Sequence, residues 1–255
     1  MKFIRYAYQG KISCGILADS TVKEIQGGLF GDRSETGFSV NSDYVDLLCP
    51  CEPTKILAVG LNYRSHIKSY APSDPEPENP EIFFKPPSAL VAHGCAIQIP
   101  SNARNVHYEG ELVVVIGKTA RNVSLAEAEQ CIFGFTCGID VSERIWQKND
   151  LQWWRAKGCD TFAPLGPGIV TNFDWKNGSL QTRVNGSVVQ SGTFNELLFN
   201  PLAIVSYASK HLTLLPGDLI YTGTPGSTGP IKDGDVVEVE IPGIGILRNP
   251  VADCS

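Results

Sequence analysis

The residue types best placed for chemistry crowd into one stretch, His107-Tyr108-Glu109-Gly110-Glu111-Leu112-Val113-Val114-Val115-Ile116-Gly117. A β-branched, aliphatic run ended by glycine predicts a strand. Side chains alternate across a strand, so Glu109 and Glu111 share one face with Val113 and Val115, while Leu112, Val114 and Ile116 line the other. A strand apolar on both faces is buried on both, which puts two carboxylates side by side at the mouth of a core strand. At roughly 7 Å and an effective dielectric near 20, their repulsion is about 2 kcal/mol, a cost that a divalent cation would turn into binding. Two acids at a strand end can equally face water, and spacing alone does not choose. A second Glu-x-Glu pair provides a comparison: in Val236-Val237-Glu238-Val239-Glu240-Ile241 the acids alternate cleanly with aliphatics, the pattern of a strand with one wet face.

Length and composition restrict what can surround such a site. The 255 residues suffice for one large domain, or a large one with a small appendage. A net charge of -6 argues against nucleic acid or an anionic membrane as partner. No apolar run approaches the ~20 residues that span a bilayer, and Met1-Lys2-Phe3-Ile4-Arg5-Tyr6 lacks a signal-peptide core, so a cytoplasmic location is expected. The eight cysteines include no Cys-x-x-Cys pair and are expected reduced, although Cys49-Pro50-Cys51 could touch a soft metal.

The elements that must position the acids follow in chain order. Residues 1–52 are expected to form a small N-terminal β-rich domain, with a hairpin around Gln9-Gly10 and a loop from Gly31 to Ser42, and 53–255 a catalytic domain. The proline-rich stretch from Ala71 to Pro80 reads as a mobile loop and a possible lid. Ser124-Leu125-Ala126-Glu127 is a capping box opening a helix to about Phe133. An extended Phe135–Ile139 then delivers Asp140. Ser142 or a neighbour starts a short helix with Arg144 and Gln147 on one face. Asn185-Gly186 predicts a tight hairpin, and Asn200-Pro201 a helix start. Strands outnumber helices with few βαβ alternations, which predicts an α+β, mostly β roll.

Several motifs, in order, resemble the fumarylacetoacetate hydrolase superfamily: Gly60-Leu61-Asn62-Tyr63-x-x-His66, Phe84-Lys85-Pro86, Tyr108-Glu109-Gly110-Glu111-Leu112, Asp140-Val141-Ser142-Glu143-Arg144, Lys157-Gly158-Cys159-Asp160-Thr161, Leu215-Pro216-Gly217-Asp218 and Thr222-Gly223-Thr224-Pro225. The likeness covers roughly Lys55 to Val251 and is strongest to the bacterial isomerase, decarboxylase and acylpyruvase-like branch. It implies a mixed β-sandwich roll, a homodimer, and Mg²⁺ or Mn²⁺ held by Glu109, Glu111 and Asp140. Three carboxylates suit a hard octahedral cation. Such a cation would act as a Lewis acid on a small 2-oxo or 1,3-dicarbonyl acid, stabilising the enolate shared by decarboxylation, keto–enol isomerisation and C–C hydrolysis. The resemblance further implies catalytic roles for His66 and Lys157, and substrate-binding roles for Lys85, Arg144, Gln147 and Thr224.

One position departs from the pattern. Hydrolytic members carry a glutamate three residues after the histidine, where this chain has Ser69. A serine brings no charge to stabilise an imidazolium. Unless Glu76, Glu78 or Glu81 folds over, water activation should be weak, which favours decarboxylation or isomerisation over hydrolysis. The alternatives are a C–C hydrolase, a metal-binding member that serves as a binding module, and, from the cysteine count, a thiol redox or zinc protein. The enzymatic reading requires the three acids to converge with no arginine filling the gap between them.

Overall fold

Double-sided and alternating apolar runs become two sheets packed on one another in the computed structural model, which describes residues 1–70, 73 and 75–254. Among these residues the larger sheet has twelve strands, its path running Ser34–Asn41, Thr21–Gln26, Lys11–Ala18, Lys2–Tyr8, Ala163–Val170, Ile132–Ile139, Gly110–Ile116, Leu219–Tyr221, Ile56–Gly60 and Glu81–Lys85. Asp46–Leu48 and Leu90–Ala92 pair onto its flanks. The smaller sheet orders Ser187–Thr193, Ser179–Val184, Val236–Ile241, Gly245–Asp253 and Ile97–Ile99. Antiparallel pairs predominate, with parallel ones such as Leu219–Tyr221 on Ile56–Gly60, so the fold is the expected mixed, mostly β roll.

The strand Gly110–Ile116 is buried along its whole length. Leu112, Val114 and Ile116 pack with Leu180, Val237 and Val239 of the smaller sheet. Val113 and Val115 pack on the other side with Ile56, Leu165 and Tyr221. Fixing both faces fixes the register, because a one-residue slip would exchange them. The neighbouring strand Ile132–Ile139 pairs Ile139 with Gly110, which brings Asp140 opposite Glu109, and Asp140 N donates to Glu109 O over 2.8 Å. The helix Leu125–Cys131 that links these strands starts on the predicted capping box, with both reciprocal Ser124–Glu127 bonds made. In Val236–Ile241, Val237, Val239 and Ile241 are buried while Glu238 and Glu240 stay half exposed beside Arg248 and Arg183, as the alternation required.

One local expectation is corrected. The polar stretch from Gly31 to Ser42 contains the strand Ser34–Asn41, which pairs with Thr21–Gln26 at the sheet edge. It is exposed on both faces, so it shows no apolar alternation. The helix Arg144–Asn149 starts beside Ser142 as expected: Glu143 caps it by accepting from Trp146 N, and Ser142 itself lies in a short strand. The hairpins at Gln9-Gly10 and Asn185-Gly186 and the helix Pro201–His211 fall where predicted.

The Leu-Pro-Gly-Asp motif has a mechanical explanation. Asp218 is fully buried and accepts from Thr54 N (3.0 Å), Thr54 Oγ1 (2.7 Å), Lys55 N (3.1 Å), Leu215 N (2.7 Å) and Lys55 Nζ (2.5 Å). It thereby ties the segment entering the strand Ile56–Gly60 to the turn entering Leu219–Tyr221. Asp218→Ala strands several buried donors and is expected to remove roughly 3 kcal/mol of stability in urea unfolding. A loss under about 1 kcal/mol would show that this knot is dispensable.

Far from the acids, Glu24 accepts from Lys11 Nζ (2.7 Å), Ser13 Oγ (2.7 Å) and Thr36 Oγ1 (3.0 Å). These bonds lower its carboxyl from 4.5 to about 2. A depressed folded value contributes stability that is complete above about pH 4.5 and is lost as the pH falls toward 2. Glu24→Gln is expected to be less stable than the parent at neutral pH and to converge with it in acid. Parallel urea midpoints across that range would refute the linkage.

Candidate active site

Glu109, Glu111 and Asp140 each offer a carboxylate oxygen, and these oxygens lie within 4.8 Å of one another. All three residues are buried. The rim where two core strands end forces this meeting, since Glu109 and Glu111 share a face and Asp140 follows the partner strand. Gly110 between them has no room for a side chain: a Cβ there would sit 2.0 Å from Thr182 Oγ1.

Three cations surround the acids unequally. Lys157 Nζ lies 2.7 Å from Asp140 Oδ2 and 3.1 Å from Glu109 Oε2. Arg144 Nη2 donates to Glu109 Oε1, and Lys85 Nζ is 2.7 Å from Asp140 Oδ1. Glu111 has no Lys or Arg on it among the described residues, and its Oε2 accepts from Gly223 N at 2.6 Å. The electrostatics follow this inequality. Burial works against the Glu109 charge, but Lys157 and Arg144 outweigh it and hold the carboxyl well below its usual range. Burial, then Asp140 and Glu109, push Glu111 far above it. Burial likewise opposes the Lys157 charge, yet Asp140 and Glu109 prevail and raise its pKa.

The residues present fit a hard cation. Arginine reaches Glu109 alone and does not fill the gap; the ammonium between Glu109 and Asp140 belongs to Lys157. A carboxylate offers about four lone-pair sites, so both acids keep acceptor capacity. Glu111, turned to the same point with a single backbone donor, lacks the positive charge that a divalent ion supplies.

His66 sits on the helix Arg64–Tyr70, 7% exposed, with Nδ1 2.7 Å from Gly226 O. A carbonyl only accepts, so Nδ1 carries the hydrogen and Nε2 of the neutral ring keeps its lone pair. Burial lowers the ring's pKa, and Glu109 offsets only part of that. Ser69 Oγ bonds the carbonyls of His66 and Gly226, not the ring, and Glu76 is taken by Arg64 at 2.8 Å. Among the described hydrogen bonds none joins Glu76, Glu78 or Glu81 to His66. The lid expectation covers Ala71, Pro72 and Asp74, which lie outside the described residues.

A cavity of about 140 Å³ gathers His66, Glu109, Arg144, Gln147, Lys157 and Thr224, walled by Tyr70, Phe83 and Trp153. Benzene fills an apolar hole of roughly 150 Å³, so the space suits a small molecule. A larger groove of about 870 Å³ runs past Phe84, Pro86 and Trp154 but gathers no comparable set of acids and bases. Lys85 borders that groove and not the cavity, and its ammonium meets Asp140 and the carbonyls of Val141, Lys157 and Phe162. Burial lowers its pKa despite Asp140. Its geometry is that of a prop behind Asp140, in contrast to the substrate contact expected.

In the loop from Gly223 to Pro230 the sequence marked Thr224 and its motif, but not the part played by Gly226 and Thr228. Gly223 N holds Glu111, Thr224 Oγ1 donates to Gly110 O (2.9 Å), and Gly226 O holds His66. Thr228 Oγ1 meets both Arg144 Nη2 and His107 Nδ1 at 2.9 Å. His107 thus reaches Arg144 through Thr228 while its Nε2 meets Asn105 Oδ1; burial and then Arg144 bring it down to about 4. The cysteines form no cluster here. Burial pushes the Cys49 thiol up to about 11 and Cys137 up to about 12, which leaves them unreactive.

A roll of packed sheets with three buried acids at the rim of its central strand narrows the class of protein, and comparison with known proteins names it. The model described as fumarylacetoacetate (FAA) hydrolase C-terminal matches residues 55–252, and one described as Rv2993c-like, N-terminal matches residues 1–50. The chain belongs to the fumarylacetoacetate hydrolase family and is an enzyme of that family. It superposes on the crystal structure of 5-carboxymethyl-2-hydroxymuconate delta-isomerase from Mycobacterium smegmatis with a TM-score of 0.93 at 43% identity, covering 100% of both chains. Oxaloacetate tautomerase fahd2 of Xenopus laevis mitochondria is 40% identical over 81% of this chain and 68% of its own. Maleylpyruvate hydrolase from Sphingobium sp. SYK-6, solved with manganese(II) and pyruvate, is 26% identical with a TM-score of 0.83, covering 100% of both chains.

Gly110→Ala tests how tightly the acid pair is set. Overpacking against Thr182 is expected to remove about 1–3 kcal/mol of stability. An unchanged thermal midpoint would show that the strand can move aside.

Proposed function

We propose that the protein interconverts keto and enol forms of a small 2-oxo or 1,3-dicarbonyl diacid, with Mg²⁺ or Mn²⁺ held by Glu109, Glu111 and Asp140. The observation that carries this reading is His66: its Nδ1–H is fixed by a neutral carbonyl, and among the described residues no carboxylate hydrogen-bonds the ring. Such a base suits moving a proton between carbon and oxygen better than driving water onto a carbonyl. In this reading Nε2 takes a proton from the carbon beside the keto group. The electron pair left behind moves to the carbonyl oxygen, and the proton returns to that oxygen; the reverse sequence restores the ketone. Two donors of Lys157 are engaged by Glu109 and Asp140, which leaves the third to donate to the developing oxyanion. Arg144, with Gln147 on its guanidinium, anchors a substrate carboxylate, and the Thr224 hydroxyl, whose hydrogen goes to Gly110 O, offers an acceptor at the cavity wall. Lys85 fixes Asp140. The metal, when bound, supplies Lewis-acid polarisation of the keto group. Tyr70, Phe83 and Trp153 exclude bulk water. The isomerase and tautomerase names of the relatives support the same chemistry.

Decarboxylation is the second reading, favoured by the same lack of a carboxylate on His66 among the described residues, since it needs no water attack. A panel of oxaloacetate, acylpyruvates and hydroxydiene diacids, followed by enol absorbance and carbon dioxide release, separates the two. Chelation is expected to abolish turnover, and Mg²⁺ or Mn²⁺ to restore it. His66→Asn should lower kcat by roughly 10²- to 10⁴-fold. Full activity after chelation, or in Glu109→Gln/Glu111→Gln, would overturn the assignment; accumulation of two cleavage acids would move it to hydrolysis.

A further inference from the structure

We propose that Gln190, which lies outside the cavity, is the residue that positions the Glu109–Glu111 pair for the cation; this rests on the metal-site reading above. Its strand, Ser187–Thr193, inverts the usual order of burial. Val188 and Val189 are 55% and 37% exposed, whereas the Gln190 amide is 4% exposed. A polar group taken inside while its apolar neighbours face water answers to its partners.

All of its bonds go to the site. Gln190 Oε1 accepts from Gly110 N at 3.0 Å, and Nε2 donates to Thr224 Oγ1 at 2.9 Å and to Pro225 O at 2.8 Å. Thr224 Oγ1 donates in turn to Gly110 O at 2.9 Å. The Gly110 nitrogen belongs to the peptide joining it to Glu109, and the Gly110 carbonyl to the peptide joining it to Glu111. Gln190 therefore holds one peptide plane directly and the other through Thr224. Those two planes set the directions in which both acid side chains leave the backbone.

The surroundings are built for this approach. Thr182, opposite Gln190 in the register, sits against Gly110, where a Cβ would fall 2.0 Å from Thr182 Oγ1. Gly192 leaves space for Pro225, whose Cβ would lie 2.6 Å from a side chain there. Two like charges on one face repel, and a peptide free to rotate would let them separate. Only an amide offers one acceptor and two donors in this arrangement; a carboxylate would face the Pro225 carbonyl, and a hydrocarbon would leave Gly110 N and Pro225 O buried without partners.

The test is Mn²⁺ affinity, by paramagnetic resonance or calorimetry, on the full chain and its variants. Gln190→Met keeps the shape and is expected to weaken Mn²⁺ binding by roughly 10- to 100-fold, the usual effect of removing support behind a metal ligand. Asn249→Leu serves as control, because the Asn249 amide is fully buried and donates to the Ala92 and Cys95 carbonyls, away from the cavity. It is expected to lower the thermal midpoint and leave Mn²⁺ affinity unchanged. If Gln190→Met does not fold, Gln190→Asn, one methylene shorter, should show the same loss. Parental affinity in either folded Gln190 variant, or an equal loss in Asn249→Leu, overturns the proposal while the metal site stands. A parent chain that binds no Mn²⁺ overturns both.

Discussion

Three carboxylates buried at one point are tolerable only if positive charge is brought to them, and much of the structure serves that end. Lys157 and Arg144 neutralise Glu109, and Lys157 and Lys85 neutralise Asp140. Glu111 alone is left to a backbone donor. Removing an ion from water costs several kcal/mol, and removing one partner of a buried pair strands the other. The imbalance at Glu111 is therefore a feature of the site, and under the proposed reading it is where a divalent ion would supply the missing positive neighbour.

Different parts of the chain hold this arrangement in place. The strand Gly110–Ile116 supplies rigidity because both its faces are core. Its neighbour Ile132–Ile139 supplies the third acid by register. The loop from Gly223 to Pro230 touches Glu111, Gly110, His66 and Arg144, so one connection ties the acid strand to the side chains of His66 and Arg144. It is fastened from the smaller sheet by Gln190, and the strand it follows is fastened to the segment at Thr54 and Lys55 by Asp218. Site and sandwich are thus mutually dependent: the packing of the sheets is what brings Gln190 under Gly110.

The exchange of a glutamate for Ser69 gains meaning from this geometry. Ser69 joins the helix to the loop through the Gly226 carbonyl, the same oxygen that fixes His66. The ring gains orientation without gaining charge, a combination suited to proton shuttling within the substrate.

Much of this was legible in the residues. The double-sided apolar run after Glu111 determined a core strand, since no other placement buries both faces. The contrast with Glu238 and Glu240 separated a buried acid pair from a solvated one, because alternation directly reports one wet face. The capping box at Ser124 and the turn at Asn185-Gly186 were local chemistry and fell where expected. The ordered motifs added Asp140, His66, Lys157 and Arg144, which the cavity and its rim bring together. Lys85 could not be placed from sequence: a lysine before a Pro-Pro turn looks alike whether it faces a ligand or a ring of carbonyls. Gln190 and Thr228 were likewise silent, since a hydrogen bond between residues tens of positions apart leaves no periodicity in either segment. Periodicity and capping are decided within a turn or a strand, and the sequence carries them; which buried polar group meets which is decided only when two sheets close on each other, and that belongs to the tertiary structure.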